Sequence, residues 1–256
     1  MRPRTYQTKA VVLKARALGE ADRLLTLFTE AQGRLSAVAR GARRPKSRIG
    51  GSLDVLNFVE VSLSPGRTFD HLNECVVIDG FKSLKKDLKG IANGVYLAEL
   101  IDTFGDERTQ NVQLLRILVE GLTFLDRSLT SDILIRKFEM NLLNICGFAP
   151  ELANCVSCRQ KLSPDGYLFD LTQGGVLCGS CETQAVNESQ RLSLNAMKMM
   201  RLLKKNVADL SVLSELDLAD SVKLEIENIL RKYLRFVAER DLRSTRFVDH
   251  IETLSP

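Results

Sequence analysis

Over the first 80 residues, apolar positions come in short runs with a period of two or none, which is the pattern of strands rather than helices. Thr8–Leu13 and Arg23–Thr29 are runs rich in Val, Leu and Thr, the second followed by a turn at Gln32-Gly33. Leu35–Ala39 alternates apolar with small polar residues. Val55–Leu63 alternates toward its end, before Ser64-Pro65-Gly66, and His71–Ile78 adds a strand that stops at Asp79-Gly80. Five short strands separated by turn signals predict a small barrel of OB type, with an SH3-like barrel left open by pattern alone. Residues 1–80 are read as this domain.

From residue 81 the period lengthens. Ile91, Val95, Ala98 and Ile101 form a helical stripe, as do Val112, Leu115, Val119 and Leu122. In a third helix Leu134, Phe138, Leu142 and Ile145 trace the apolar side, while Ile133, Lys137, Asn141 and Asn144 lean polar. Gly147 and Pro150 end it. Residues 151–185 lose periodicity. Helical spacing returns with Leu194, Met197, Met200 and Leu203, and again from Val222 to Val237. The predicted order is a barrel (1–80), helices (81–150), a cysteine module (151–185) and more helices (186–256): a multidomain α and β chain whose helical body carries an insertion.

Charge sharpens this picture. The net charge is only +4, yet residues 1–48 hold twelve Lys or Arg against Glu20, Asp22 and Glu30. A basic head on a mildly acidic body indicates an anionic partner such as nucleic acid. The N-terminus has no apolar stretch of signal-peptide length, and no apolar run is long enough for a membrane span. The expectation is a cytoplasmic protein with reduced thiols and no membrane partner.

Six cysteines in that setting point to metal or core packing. Cys155, Cys158, Cys178 and Cys181 form two Cys-x-x-Cys pairs with nineteen residues between them, the spacing of a four-thiolate zinc site. Tyr167–Leu171, Gln173-Gly174-Gly175 and Val176-Leu177 read as strand, turn and return strand, so a hairpin delivers the second pair in a zinc-ribbon-like arrangement. Four thiolates leave no open position, so the one predicted Zn2+ is structural. Cys75 and Cys146 sit among apolar residues and are read as core.

Arg40–Arg48 carries five cations in nine residues, with Gly and Pro but little apolar content. This is an exposed loop suited to phosphate contacts, where Arg adds bidentate geometry. Tyr6, Phe28, Phe58 and Phe69 are candidate stacking platforms but are better read as barrel core. Backbone-dominated, sequence-tolerant binding follows. With only two histidines, no phosphate-binding glycine loop and no Gly-x-Ser-x-Gly, catalysis is not expected. Glu20 and Asp22 beside Arg23 read as a surface ion pair. Arg231–Phe236 mixes cations and apolar residues, suiting either an acidic, apolar-ended peptide or ordinary surface patterning.

These residues carry a family resemblance. Glu20–Thr29, Gly33–Ser47 (Val38–Ser47 above all) and the cysteine quartet resemble the RecO family of bacterial recombination mediators and DNA-repair proteins, over essentially the full chain. The resemblance implies an N-terminal OB-fold, a helical body and a zinc-ribbon insertion. It further implies binding of single- and double-stranded DNA, strand annealing, and help in loading RecA onto strands coated by single-strand-binding protein. The implied partners are RecR and the acidic C-terminal tail of that binding protein, with RecA engaged indirectly at the bacterial nucleoid. By position, DNA contact falls to Arg34, Arg40, Arg43, Arg44, Lys46 and Arg48. Some family members lack the cysteines, so the implied activity does not depend on zinc. Two other readings compete: a nuclease-type enzyme with a structural zinc, and a basic adaptor for RNA or acidic proteins.

Overall fold

In the computed structural model the described residues are 5–45, 47, 49–127, 132–163, 167–184, 189–205, 213 and 218–254. The chain forms two compact units, residues 1–130 with 243–256, and residues 131–242.

The first unit is built on β1 (Tyr6–Leu18), β2 (Asp22–Thr29), β3 (Gly33–Ala39), β4 (Phe58–Ser64) and β5 (Asp70–Asp79). They close into a barrel in the order β1-β2-β3-β5-β4, antiparallel throughout except where β3 and β5 run parallel at Ala37–Asp70 and Val38–His71. That is the OB-fold barrel. Every second residue points inward, so Ala10, Val12, Leu25, Leu27, Leu35, Ala37, Val59, Val61 and Leu63 fill the interior. The outward residues Val11, Leu13, Leu24 and Phe28 are buried too. Two helices, α1 (Leu88–Phe104) and α2 (Val112–Asp126), pack against the outside of β1. Burial on both faces explains why Ala10–Leu13 reads as a continuous apolar run instead of an alternation. Strand β1 runs five residues beyond its predicted end, because Lys14–Leu18 pairs with β2 past a bulge at Leu13. Conversely, Val55–Asn57 is not strand: Leu56 has φ 72° and the chain turns there before entering β4.

Local chemistry sets the helix starts. Asp87 accepts from Gly90 N (2.8 Å) and Asn111 from Leu114 N (3.1 Å), each satisfying an otherwise orphan amide. The loop joining α1 to α2 lies on the β2–β3 turn. Gly33 has φ +62°, and a Cβ there would stand 1.9 Å from Thr109 O, so both the turn and the close approach require glycine. Arg108 in this loop donates to Asp70 Oδ1 (2.7 Å), and Tyr6 donates its hydroxyl to the same fully buried carboxylate. Burial by itself would raise the Asp70 carboxyl, but the bonds from Arg108 and Tyr6 outweigh it and hold Asp70 below its ordinary value. The Tyr6 phenol is pushed up by burial and by its bond to Asp70. The last helix, α6 (Arg243–Leu254), also belongs to this unit and packs on α1. Its first amides, Arg243 N and Ser244 N, donate to the Glu99 carboxylate at 3.0 and 2.7 Å, a cap supplied by another helix.

The second unit contains α3 (Asp132–Ile145), β6 (Tyr167–Asp170), β7 (Gly175–Leu177), β8 (Gln190–Leu192), α4 (Leu194–Lys204) and α5 (Asp220–Ala238). Strands order as β7-β6-β8, all antiparallel. The predicted hairpin is present, but its sheet gains a third strand from a stretch read as helical, because Gln190–Leu192 pairs with Tyr167–Phe169. Lys137, placed on a polar side by periodicity, is 3% exposed. Its ammonium donates to Leu203 O and Lys205 O, both at 2.7 Å, so it neutralises the carbonyl end of α4. Burial lowers its pKa. Among the described residues no helix is long and apolar enough to cross a membrane.

Candidate nucleic-acid interface and metal centre

The basic segment leaves β3 at Ala39 and turns back at once. Gly41, at φ +65°, donates its amide to Asp22 Oδ1 (2.8 Å). Arg43 N donates to Ala21 O (2.9 Å), and the Arg43 guanidinium reaches Gly19 O (2.9 Å). Between them Ala42 is buried in the barrel interior. The loop is thus anchored to the β1–β2 turn by hydrogen bonds and to the core by one methyl group. Further along, Arg23 donates to Gly50 O (3.1 Å) and lies 3.9 Å from Asp54.

This anchoring leaves Arg40, Arg43 and Arg44 exposed side by side on a short loop. Arg34 stands at the far end of β3, where its guanidinium donates to Gly105 O (3.1 Å) and pairs with Asp102 (3.5 Å), a carboxylate it shares with Lys14. In this conformation Arg34 ties the barrel to α1. Lys46 and Arg48 lie outside the described residues. Asp22 is not the ion-pair partner of Arg23 that its sequence neighbourhood indicated. It organises the loop, a role invisible in sequence because the bond spans nineteen positions. Of the candidate platforms, Phe28 is fully buried, and Tyr6, Phe58 and Phe69 are half-buried.

In the second unit the β6–β7 hairpin brings the cysteine pairs together. Their four sulfurs all lie within 4.8 Å of one another. Cys158 Sγ and Cys178 Sγ are 3.8 Å apart. A tetrahedron with metal–sulfur bonds of about 2.3 Å has an edge of about 3.8 Å, so the quartet fits a single ion. Arg159 takes φ 63° and donates its amide to Cys155 O (2.9 Å), closing the first knuckle; Cys181 N to Cys178 O (2.9 Å) closes the second. Cys155 and Cys181 are buried, Cys178 is half-buried and Cys158 exposed. Burial opposes ionisation of Cys155, but amides from Cys158, Cys178 and Ser157 point at its sulfur and bring its pKa down to about 6. For Cys181, a bond from Ser157 is outweighed by burial and by the three neighbouring sulfurs, which push it up to about 11. Four sulfurs at this spacing offer one cation a complete tetrahedral ligand set. Cys75 and Cys146 are both half-buried, Cys75 against the barrel core.

Arg231 is held by Glu227 (2.7 Å), whereas Arg235 is exposed beside Asp241 (3.5 Å).

Comparison with known proteins agrees with this construction. Residues 1–81 match the family described as Recombination protein O N terminal, and residues 85–246 match Recombination protein O C terminal. The chain is 34% identical to the DNA repair protein RecO of Roseiflexus sp. over 254 residues, covering 99% of this chain and 88% of the relative. It is 32% identical to that of Symbiobacterium thermophilum over 251 residues (97% and 98%), and 30% identical to that of Desulforamulus reducens over 246 residues (96% and 94%). With a closed OB barrel, a four-cysteine ribbon and matches to both halves, this chain belongs to the recombination protein O family.

Proposed function

We infer that this protein is a DNA repair and recombination mediator that binds single- and double-stranded DNA through the barrel's basic loop and anneals complementary strands. It helps load RecA onto strands coated by single-strand-binding protein, working with RecR and with the acidic tail of that binding protein. The observation that carries the reading is the cluster of Arg40, Arg43 and Arg44, exposed on a loop whose backbone is anchored by Asp22 and Ala42. Guanidinium groups displayed this way meet phosphates and release counterions, without reading bases. The half-buried or buried barrel aromatics favour the same backbone-dominated mode.

The quartet Cys155, Cys158, Cys178 and Cys181 would hold zinc, which supplies a cross-link and no open coordination position. The reading assigns no covalent chemistry to the protein. The decisive assay anneals complementary strands precoated with single-strand-binding protein: acceleration that Arg43→Ala/Arg44→Ala abolishes is the expected result. Cleavage of labelled DNA by the purified protein with a divalent metal would instead show an enzyme.

A further inference from the structure

The second unit carries a surface that the basic loop does not account for. Helix α5 buries Val222, Ile226, Ile229, Leu230, Tyr233 and Leu234 along one stripe. Tyr233 makes the aromatic anchor: its ring meets Phe169 edge-on (centroids 5.4 Å, 74°), and its hydroxyl donates to Phe148 O (3.1 Å). Phe236 is therefore not needed for docking the helix, and it is 41% exposed. It lies on a different face with Lys232, Arg235 and Glu239, at spacings of three and four residues. These four side chains line one side of a cleft of about 560 Å³. Leu171, from the turn after β6, Ser189, just before β8, and Gln190, its first residue, also line it.

The last turns of α5 and the following residues, 231–240, hold four cations and a single acid. Attraction to the carbonyl end of the helix accounts for cations there, but not for an exposed aromatic ring among them. The Arg235–Asp241 pair is 3.5 Å long, with both side chains about two-thirds exposed (66% and 68%), so it holds Arg235 only weakly. The cleft is thus lined by the Phe236 ring, by cations within one turn of it, and by Gln190 and Ser189, whose hydroxyl donates to Asp170 Oδ2 (3.4 Å).

We propose that this cleft is a second contact for single-stranded DNA, with a base stacked on Phe236 and flanking phosphates met by Lys232 and Arg235. Among the described residues of the lining, Leu171 and Phe236 are the apolar ones and the other five are polar or charged, which suits a charged, planar ligand better than a peptide's apolar side chain. A base needs only a flat ring and hydrogen-bonding groups at its edge, for which the lining holds the Gln190 amide and the Ser189 oxygen as an acceptor. Annealing requires one protein to handle two strands. The barrel loop holds one strand and this cleft engages the other. The proposal rests on the DNA-binding reading above.

The test titrates the full chain with fluorescein-labelled oligothymidine of about 12 nucleotides, within the ~4–16 nucleotides that an OB barrel covers. The parent should bind two oligonucleotides. Phe236→Ala and Phe236→Leu should each bind one, keep the first affinity within about twofold, and slow annealing about fivefold, the low end for one stacked base. Because the ring is exposed, thermal unfolding of both variants should match the parent, and Leu excludes a merely apolar role. Arg43→Ala/Arg44→Ala should retain the weaker site. The proposal is overturned if Phe236→Ala still binds two strands, or if the parent binds one and Arg43→Ala/Arg44→Ala removes it entirely. It is equally overturned if the cleft variants lose only a labelled Asp-rich peptide. A parent that binds no oligonucleotide sinks this proposal together with the DNA-binding reading, whereas a parent with one tight site sinks this proposal alone.

Discussion

The barrel and the four-cysteine ribbon both present exposed loops from a small, mainly antiparallel sheet, yet different physics holds each together. The barrel encloses Leu25, Leu27, Leu35, Leu53, Val59, Val61 and Leu63 within five strands, and helices α1 and α2 pack on the outside of β1. The ribbon sheet has strands of four, three and three residues, too short to enclose an interior of their own. Its second source of order is the quartet, whose sulfurs converge where a metal ion would sit. A hydrophobic interior tolerates the loss of one contact; a site closed by four thiolates does not.

The largest expected effect follows from that difference. Stripping metal with a chelator, or Cys158→Ser, should unfold residues around 155–181, since structural zinc sites contribute about 10–16 kcal/mol in small modules. Hydrogen exchange reads this directly: amides of β6 and β7 should lose protection while those of β1–β3 keep theirs, and equal protection before and after chelation would refute a structural metal. In the barrel, Leu27→Ala should cost about 2–5 kcal/mol by denaturant titration and leave metal content unchanged. Loss of metal in that variant would mean the two regions are not independent.

Smaller effects separate loop chemistry from barrel stability. Arg43→Ala/Arg44→Ala should weaken DNA binding for every sequence and flatten the salt slope by about 2, with stability changed by less than about 0.5 kcal/mol. For Asp22, charge and geometry predict opposite signs. Removing a negative charge beside the loop should tighten DNA binding, whereas losing the acceptor for Gly41 N should loosen it. Asp22→Ala is expected to bind DNA a few-fold more weakly, by about 0.5–1.5 kcal/mol for one hydrogen bond, while Asp22→Asn keeps an acceptor and stays near the parent. Tighter binding by Asp22→Ala would remove its positioning role. The smallest effect is on pH dependence. Asp70 is held below its ordinary value in the folded barrel, so folding favours its ionised form. That contribution is complete above about pH 3.9, the unfolded value, and is lost as pH falls through the lower folded value. Acid titration of barrel unfolding should show a steeper decline in the parent than in Asp70→Asn.

Much of this was legible from pattern because it depends on neighbours in the chain. Alternation at Leu35–Ala39 marks a strand wherever it lies, and paired Cys-x-x-Cys knuckles aim their sulfurs through local turns alone. Strand β8 was not legible, since three residues carry too short a pattern to outweigh the helical spacing that follows. Lys137 was misplaced for a related reason: its partners are carbonyls at Leu203 and Lys205, more than sixty residues away.

By itself, then, the sequence determined the barrel class, the clustering of the four cysteines and the cationic segment, all set by local period, spacing and charge. Tertiary structure decided which cations are displayed. Arg34 and Arg43 are alike in sequence, but Arg34 is drawn to Asp102 and Gly105 while the arginines of the Gly41 turn remain exposed. The same holds for Phe236, left at the surface because Tyr233 already occupies the apolar contact. The physical reason is common to all these cases. Period and spacing act through bonds along the chain, whereas the fate of a charge or a ring depends on which distant groups the fold brings to meet it.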